Sequence, residues 1–237
     1  MEEKLNGIVL GGVNYGENDK ILSIFTLEKG TVSARIKGVK KAGAKLKFAS
    51  EPFCFAEYVF MVNGLHRTVK TASLIDSYYP IREDIVKYFC AGTILEFLRK
   101  FLKEEIVSPE IFVLALDTLK ELAYGDMLPE YITTRFLVHA LQFTGYGLKI
   151  STSCSRCGCE KITRPYFNAD SGNFTCGDCA VEGAREVKTS TFNEVITAGR
   201  DNFDSQYDYK GSLRLIDFYL SVKTDEKLNS LKELIRL

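Results

Sequence analysis

Over the first eighty residues, short apolar runs punctuated by polar turn clusters follow the pattern of strands, and one of them alternates with the two-residue period. In Thr31-Val-Ser-Ala-Arg-Ile-Lys37, the apolar Val32, Ala34 and Ile36 alternate with Ser33 and Arg35, as in a strand buried on one face. The runs LNGIVL, KILSIFTL, PFCFAEYVFMV and RTVKTASL are equally rich in β-branched and aromatic side chains. Turn-forming clusters separate them: Tyr15-Gly-Glu-Asn-Asp19, Glu28-Lys-Gly30 and Asn63-Gly64. About five short strands in about 75 residues suit a small closed barrel of the oligonucleotide-binding (OB) type.

After Tyr79-Pro80 the period becomes helical, with Ile85, Phe89, Gly92, Leu95 and Leu102 on one stripe. Ser108-Pro109-Glu110 predicts a helix start: an N-cap hydroxyl, a proline in the first turn and an acid at the positive helix end. That helix extends to about Tyr124, where Gly125 stops it. Pro129-Glu130 opens another, through Phe143 to Gly145, and Leu213–Leu220 and Glu226–Leu237 are also predicted to be helical. The expected fold class is α+β. A five-stranded OB barrel in residues 1–80 precedes a helical domain in 81–237, which carries a zinc ribbon at about 150–182.

That ribbon rests on four cysteines in two Cys-x-x-Cys pairs, Cys154 with Cys157 and Cys176 with Cys179. Each pair offers two sulfurs from one tight knuckle, and Zn²⁺ takes four such ligands in a tetrahedron. Gly158 and Gly177 follow the first cysteine pair and Cys176 respectively, where glycine tolerates a sharp turn. Asp170-Ser-Gly-Asn173 predicts a turn between two short aromatic-rich strands. Seven cysteines, an odd number, and an acidic start without a signal-peptide pattern argue against a disulfide framework and for a reducing compartment. Four thiolates close the coordination sphere, so one structural zinc per chain is expected rather than a catalytic ion. Cys159 is placed outside the metal shell because Cys-x-Cys makes a poorer knuckle, and Cys54 and Cys90, in apolar runs, are expected in the core.

The chain has 237 residues, with 46% hydrophobic and 26% charged side chains, which are ordinary values for a globular protein. No stretch approaches the about 20 apolar residues of a membrane span. Net charge is zero, but residues 1–80 hold 11 Lys/Arg against 8 Asp/Glu. Most of the excess lies in one acid-free stretch of thirteen residues that contains Arg35, Lys37, Lys40, Lys41, Lys45 and Lys47. On a barrel of this type, such a stretch, with Gly38 and Gly43 in it, predicts a flexible cationic loop between two strands that tracks a phosphate backbone. Tyr15, Phe25, Phe48, Phe53, Phe55, Tyr58 and Phe60 are candidate base-stacking rings, most of them expected in the core. His139, among Phe136, Val138, Leu141 and Phe143, is expected to be a hydrogen-bonded packing residue rather than a catalyst. No nucleophile–base pair, phosphate-cradling glycine loop or zinc-deaminase pattern is present, so no enzymatic turnover is expected.

Several of these residues occur together in a known family. Gly7-Ile-Val-Leu10, Tyr15-Gly-Glu-Asn-Asp-Lys20, Ile24-Phe-Thr26, Gly30, Lys37-Gly38 and Glu51-Pro-Phe53 resemble the N-terminal domain of the bacterial RecO family. The two cysteine pairs, with Ser171-Gly172 before the second, resemble the zinc ribbon of its metal-bearing members, and Leu228-Asn-Ser-Leu-Lys-Glu-Leu234 resembles its C-terminal helix. The resemblance implies a cytoplasmic, nucleoid-associated repair and recombination mediator without turnover or a small-molecule substrate. Such a protein binds single- and double-stranded DNA and anneals complementary strands. With RecR it helps load the RecA recombinase on DNA coated by single-strand binding protein (SSB), whose acidic C-terminal tail it also binds. The alternative is a zinc-ribbon adaptor that binds proteins and does not touch DNA.

Overall fold

The computed structural model describes residues 1–237. Five strands form a closed barrel: β1 (Glu2–Tyr15), β2 (Asp19–Thr26), β3 (Gly30–Ile36), β4 (Phe55–Asn63) and β5 (His66–Asp76), in the order β1-β2-β3-β5-β4. The long β1 serves two neighbours. Glu2–Ile8 pairs with β4 and Gly7–Tyr15 with β2, and a register shift between Val9 and Gly11 bends the strand from one to the other. The barrel closes where β3 runs parallel to β5 through Ala34 opposite Arg67 and Arg35 opposite Thr68. Inward side chains follow the two-residue period: Val32, Ala34 and Ile36 join Val9, Leu22, Ile24, Tyr58 and Phe60 in the barrel core, with Cys54 among them. The expected OB barrel, followed by a helical region bearing four clustered cysteines, is therefore the fold.

The helices are α1 (Ile85–Phe101), α2 (Pro109–Tyr124), α3 (Pro129–Gln142), α4 (Thr189–Gly199), α5 (Lys210–Lys223) and α6 (Asn229–Arg236). Asp84 caps α1 by accepting bonds from the amides of Val86 and Lys87 at 2.8 and 3.0 Å. The chain divides into two compact units, Met1–Ala91 with Leu95–Tyr124, and Gly92–Ile94 with Gly125–Leu237. In the first unit, Phe112 of α2 meets Phe25 and Phe55 of the barrel edge-on, with ring centroids 5.4 and 6.1 Å apart. This apolar contact seats a helix against the outer face of the sheet.

In the second unit, α3 and α5 share a buried hydroxyl pair, Thr134 Oγ1 to Ser212 Oγ at 2.9 Å. The cysteine-bearing segment builds a small antiparallel sheet in the order β7-β6-β8, from β6 (Pro165–Asn168), β7 (Asn173–Cys176) and β8 (Arg185–Glu186). Its aromatic face sits on the helices. Phe167 meets Tyr219 of α5 at 5.6 Å, and Phe174 meets Phe192 of α4 at 4.9 Å. No helix is long and apolar enough to cross a membrane.

Candidate nucleic-acid interface and metal centre

The acid-free stretch spans the end of β3 and the β3–β4 connection, and it is more ordered than a loose glycine-bearing loop. Successive turns fold it: Lys41 N bonds Gly38 O, Ala44 N bonds Lys41 O, and Lys47 N bonds Ala44 O, at 3.1 to 3.2 Å. Val39 is buried in the barrel core, and Leu46 and Phe48 pack against it. Between these apolar anchors, Lys37, Lys40, Lys41, Lys45 and Lys47 all face water and none forms an ion pair. Five unpaired ammonium groups are therefore held out on a fixed scaffold.

Arg35 differs from its five neighbours. It is half-buried and ion-paired with Asp19, whose Oδ2 accepts from Nε at 2.8 Å and also from the second guanidinium nitrogen. Its guanidinium lies 4.8 Å from the Tyr15 ring centroid. Asp19 Oδ1 also accepts from the Gly38 amide at 2.7 Å. That backbone bond, then Arg35, holds the Asp19 carboxyl below its ordinary 3.8, so it is ionised at neutral pH. Asp19 thus neutralises one cation of the stretch and ties down the start of the loop. Sixteen residues separate the partners, and only the hairpin register, Lys20 opposite Ile36, makes them neighbours.

Beside this pair, a groove of about 430 Å³ opens between the β1–β2 turn, β3 and the β4–β5 hairpin, with Tyr15, Ser33, Arg35, Leu65, His66 and Thr68 on its walls. Of the candidate stacking rings, Tyr15 is exposed, Phe48 and Phe55 are partly covered, and Phe25, Phe53, Tyr58 and Phe60 are buried. Leu65 and His66, absent from the sequence-based candidates, sit at an exposed hairpin tip whose only local sign is Asn63-Gly64.

In the second unit, the sulfurs of Cys154, Cys157, Cys176 and Cys179 all lie within 4.8 Å of one another. A tetrahedral ion with bonds of about 2.3 Å needs sulfurs about 3.8 Å apart, and Cys157 and Cys176 are 3.8 Å apart. The donor set and spacing fit a four-thiolate metal site. The first knuckle closes with Gly158 N on Cys154 O at 2.9 Å, and Gly158 takes a φ of 74° that favours glycine. Gly177 does not need that freedom. It opens a short 3-10 turn, Gly177–Cys179, with an ordinary negative φ. Cys159 borders the same cavity but lies outside the mutually close set.

The electrostatics of the four thiols fit a site that could hold a cation. Burial raises the Cys154 thiol, but amide bonds from Cys157, Cys176 and Arg156 outweigh it and bring the value to about 6. Hydrogen bonds from Cys179 to Cys157 and Cys176 push the Cys179 thiol up to about 12. Thiolates this close repel one another, and a divalent ion held by Cys154, Cys157, Cys176 and Cys179 would offset that repulsion by stabilising all four anions.

The remaining candidates are structural. Cys54 and Cys90 are buried, and burial pushes the Cys54 thiol up to about 11. His139 is half-buried and bonds Asp201 at 3.2 Å, with Arg135 on the same carboxylate at 3.8 Å.

The class these features define is an OB-barrel protein with a cationic β3–β4 loop and a helical region that clusters four cysteines. Residues 1–78 match the family described as "Recombination protein O N terminal", and residues 82–232 match "Recombination protein O C terminal". The chain belongs to the RecO family of DNA repair proteins. It is similar to the DNA repair protein RecO of Exiguobacterium sp., with 32% identity over 77% of this chain and 72% of the relative. The RecO of Caldicellulosiruptor bescii is 28% identical over 81% and 78%, and that of Acetivibrio thermocellus 29% identical over 79% and 74%.

Proposed function

We propose that the chain binds single- and double-stranded DNA and anneals complementary strands. With RecR, it helps load the RecA recombinase on SSB-coated DNA and binds the SSB tail, acting in the cytoplasm without covalent turnover. The observation that carries this reading is the ordered loop with five exposed, unpaired lysines on an OB barrel. Cations at that density replace the counterions of a phosphate backbone, and two polyanions approach more readily across a cationic surface. The adjoining groove, with Tyr15 under Arg35, supports base stacking, as does the usual use of strands 2 and 3 and their flanking loops in OB folds.

The four cysteines hold one zinc, which supplies no chemistry to DNA. It draws the knuckle at Cys154–Cys157 to the turn at Cys176–Cys179 and so stabilises the small sheet.

The test is a fluorescence-anisotropy titration of a labelled single strand at several salt concentrations. Changing Lys40, Lys41 and Lys45 together to Gln weakens binding, and the log–log salt slope falls by about 2, from about 0.7 per lost phosphate contact. An unchanged slope refutes the loop's role. The alternative is a zinc-ribbon adaptor that binds proteins, with the basic loop incidental. A native chain that shows no salt-sensitive binding would refute the DNA reading and favour that alternative.

A further inference from the structure

We propose that the helical unit carries a second nucleic-acid site, a cavity framed by β8, the start of α4 and α5, which takes one single strand while the barrel holds another. This inference rests on the DNA-annealing reading above and adds where the second strand lies.

The cavity measures about 380 Å³, in the range of small-ligand sites, and is open to solvent. Arg185, Lys188 and Arg214 converge on it. All three are exposed and none forms an ion pair. The acids at its rim are engaged. Glu186 pairs with Arg164 at 3.3 Å and accepts the Tyr166 hydroxyl at 3.0 Å, and Asp208 accepts the Lys210 amide at the start of α5 at 3.0 Å. Glu194, beneath it, accepts the Ser212 amide at 2.6 Å. Only Glu186 is charge-paired; an amide bond does not cancel the Asp208 or Glu194 carboxylate, but three cations against these two acids still leave the cavity's net charge positive.

The floor is apolar, with Leu215 and Phe218 one turn apart on the same face of α5, and the Arg185 guanidinium lies 5.0 Å from the Phe218 ring centroid. A cation over a ring, beside two further free cations, offers a base a stacking surface and neighbouring phosphates their counterions. A chain that anneals must hold two strands at once, and the five-lysine loop lies in the other unit. Two separate cationic sites meet that requirement without forcing both polyanions onto one loop.

The experiment uses the full chain and two non-complementary strands carrying different dyes. Energy transfer reports joint occupancy, and sedimentation gives strands per chain. The native chain is expected to hold two strands. Changing Arg185, Lys188 and Arg214 together to Gln leaves one, and the salt slope of the lost second event is about 2, from about 0.7 per contact. The variant at Lys40, Lys41 and Lys45 loses the other strand, and each variant anneals complementary strands about tenfold more slowly, a loss of the size that stacking and phosphate contacts carry. Phe218→Leu, which preserves an apolar side chain, weakens the second strand about fivefold or more by removing the stacking ring.

A native chain that holds one strand only, or an Arg185/Lys188/Arg214 variant that keeps two strands and the native annealing rate, overturns the second site and leaves the barrel reading standing. So does an acidic peptide whose binding those substitutions abolish while DNA binding is unaffected. A native chain that binds no strand overturns both.

Discussion

Adding one methyl group at Gly30 tests how the barrel is locked in the first unit. Gly30 has a φ of 67°, and a Cβ there would lie 2.2 Å from the Ile106 carbonyl oxygen and 2.7 Å from its carbon. Those are backbone atoms, so the 103–106 segment must move by more than 1 Å to restore an ordinary contact. That segment is stitched to the barrel by the Glu105 amide on Thr31 O at 3.1 Å and by Arg67 on Glu105 at 2.9 Å. The left-handed backbone costs a non-glycine residue about 1 kcal/mol. Losing the backbone bond adds about 1 kcal/mol, and losing the exposed ion pair about 0.5 kcal/mol. With residual crowding, Gly30→Ala is expected to destabilise by about 3 kcal/mol, or about 6–12 °C in Tm for a chain of this size. Gly64→Ala is the control, because its φ of 59° is similar but nothing lies within 4 Å of the added carbon. It should cost only about 1 kcal/mol. Chemical denaturation of both variants, followed by circular dichroism, gives the comparison. Equal losses for the two would show that the Ile106 contact is relieved cheaply and that backbone strain alone decides the cost.

Other expectations follow from the sites. Asp19→Asn frees the Arg35 cation, so single-strand binding should tighten and its salt slope steepen by about 0.7; weaker binding would mean that Asp19 acts chiefly by ordering the loop through Gly38. Elemental analysis should find about one zinc per chain, and Cys154→Ser or a strong chelator should lower Tm, because structural zinc contributes folding free energy; protein purified without chelator and free of zinc would exclude the site. Zinc binding should weaken as pH falls, since protons compete for the thiolates. Burial raises the Glu194 carboxyl above its ordinary 4.5, so the folded state holds the proton more tightly and stability is lost as pH rises through that window. Glu194→Gln should flatten this decline in denaturant midpoints, and parallel pH profiles for variant and native chain would refute it.

Local pattern carried much of the architecture. All five barrel strands lie where β-branched and aromatic runs between turn clusters place them, and β3 shows the two-residue alternation that one buried face imposes. The helix starts at Pro109 and Pro129 also match their local signals. Helix α4 has no such signal. Thr189, Thr191, Val195, Ile196 and Thr197 favour strands, and the burial of Phe192, Val195, Ile196 and Ala198 against α3 and α5 overrides that preference. The two-residue β8 is too short to show a period and exists through its pairing with β6. The cysteine spacing was legible because a metal knuckle is encoded by adjacent residues.

What the sequence determined by itself is whatever a single element or covalent spacing encodes: the barrel strands, the paired cysteines, and a lysine-rich, acid-free connection. Tertiary structure decided what depends on register and closure. It paired Arg35 with Asp19 across a hairpin, pressed Gly30 against Ile106, and brought Arg185, Lys188 and Arg214 to one cavity. The physical reason is range. Side-chain periodicity reports the environment of an element's own face, whereas ion pairs, close approaches and cavities join residues that become neighbours only when separate elements pack.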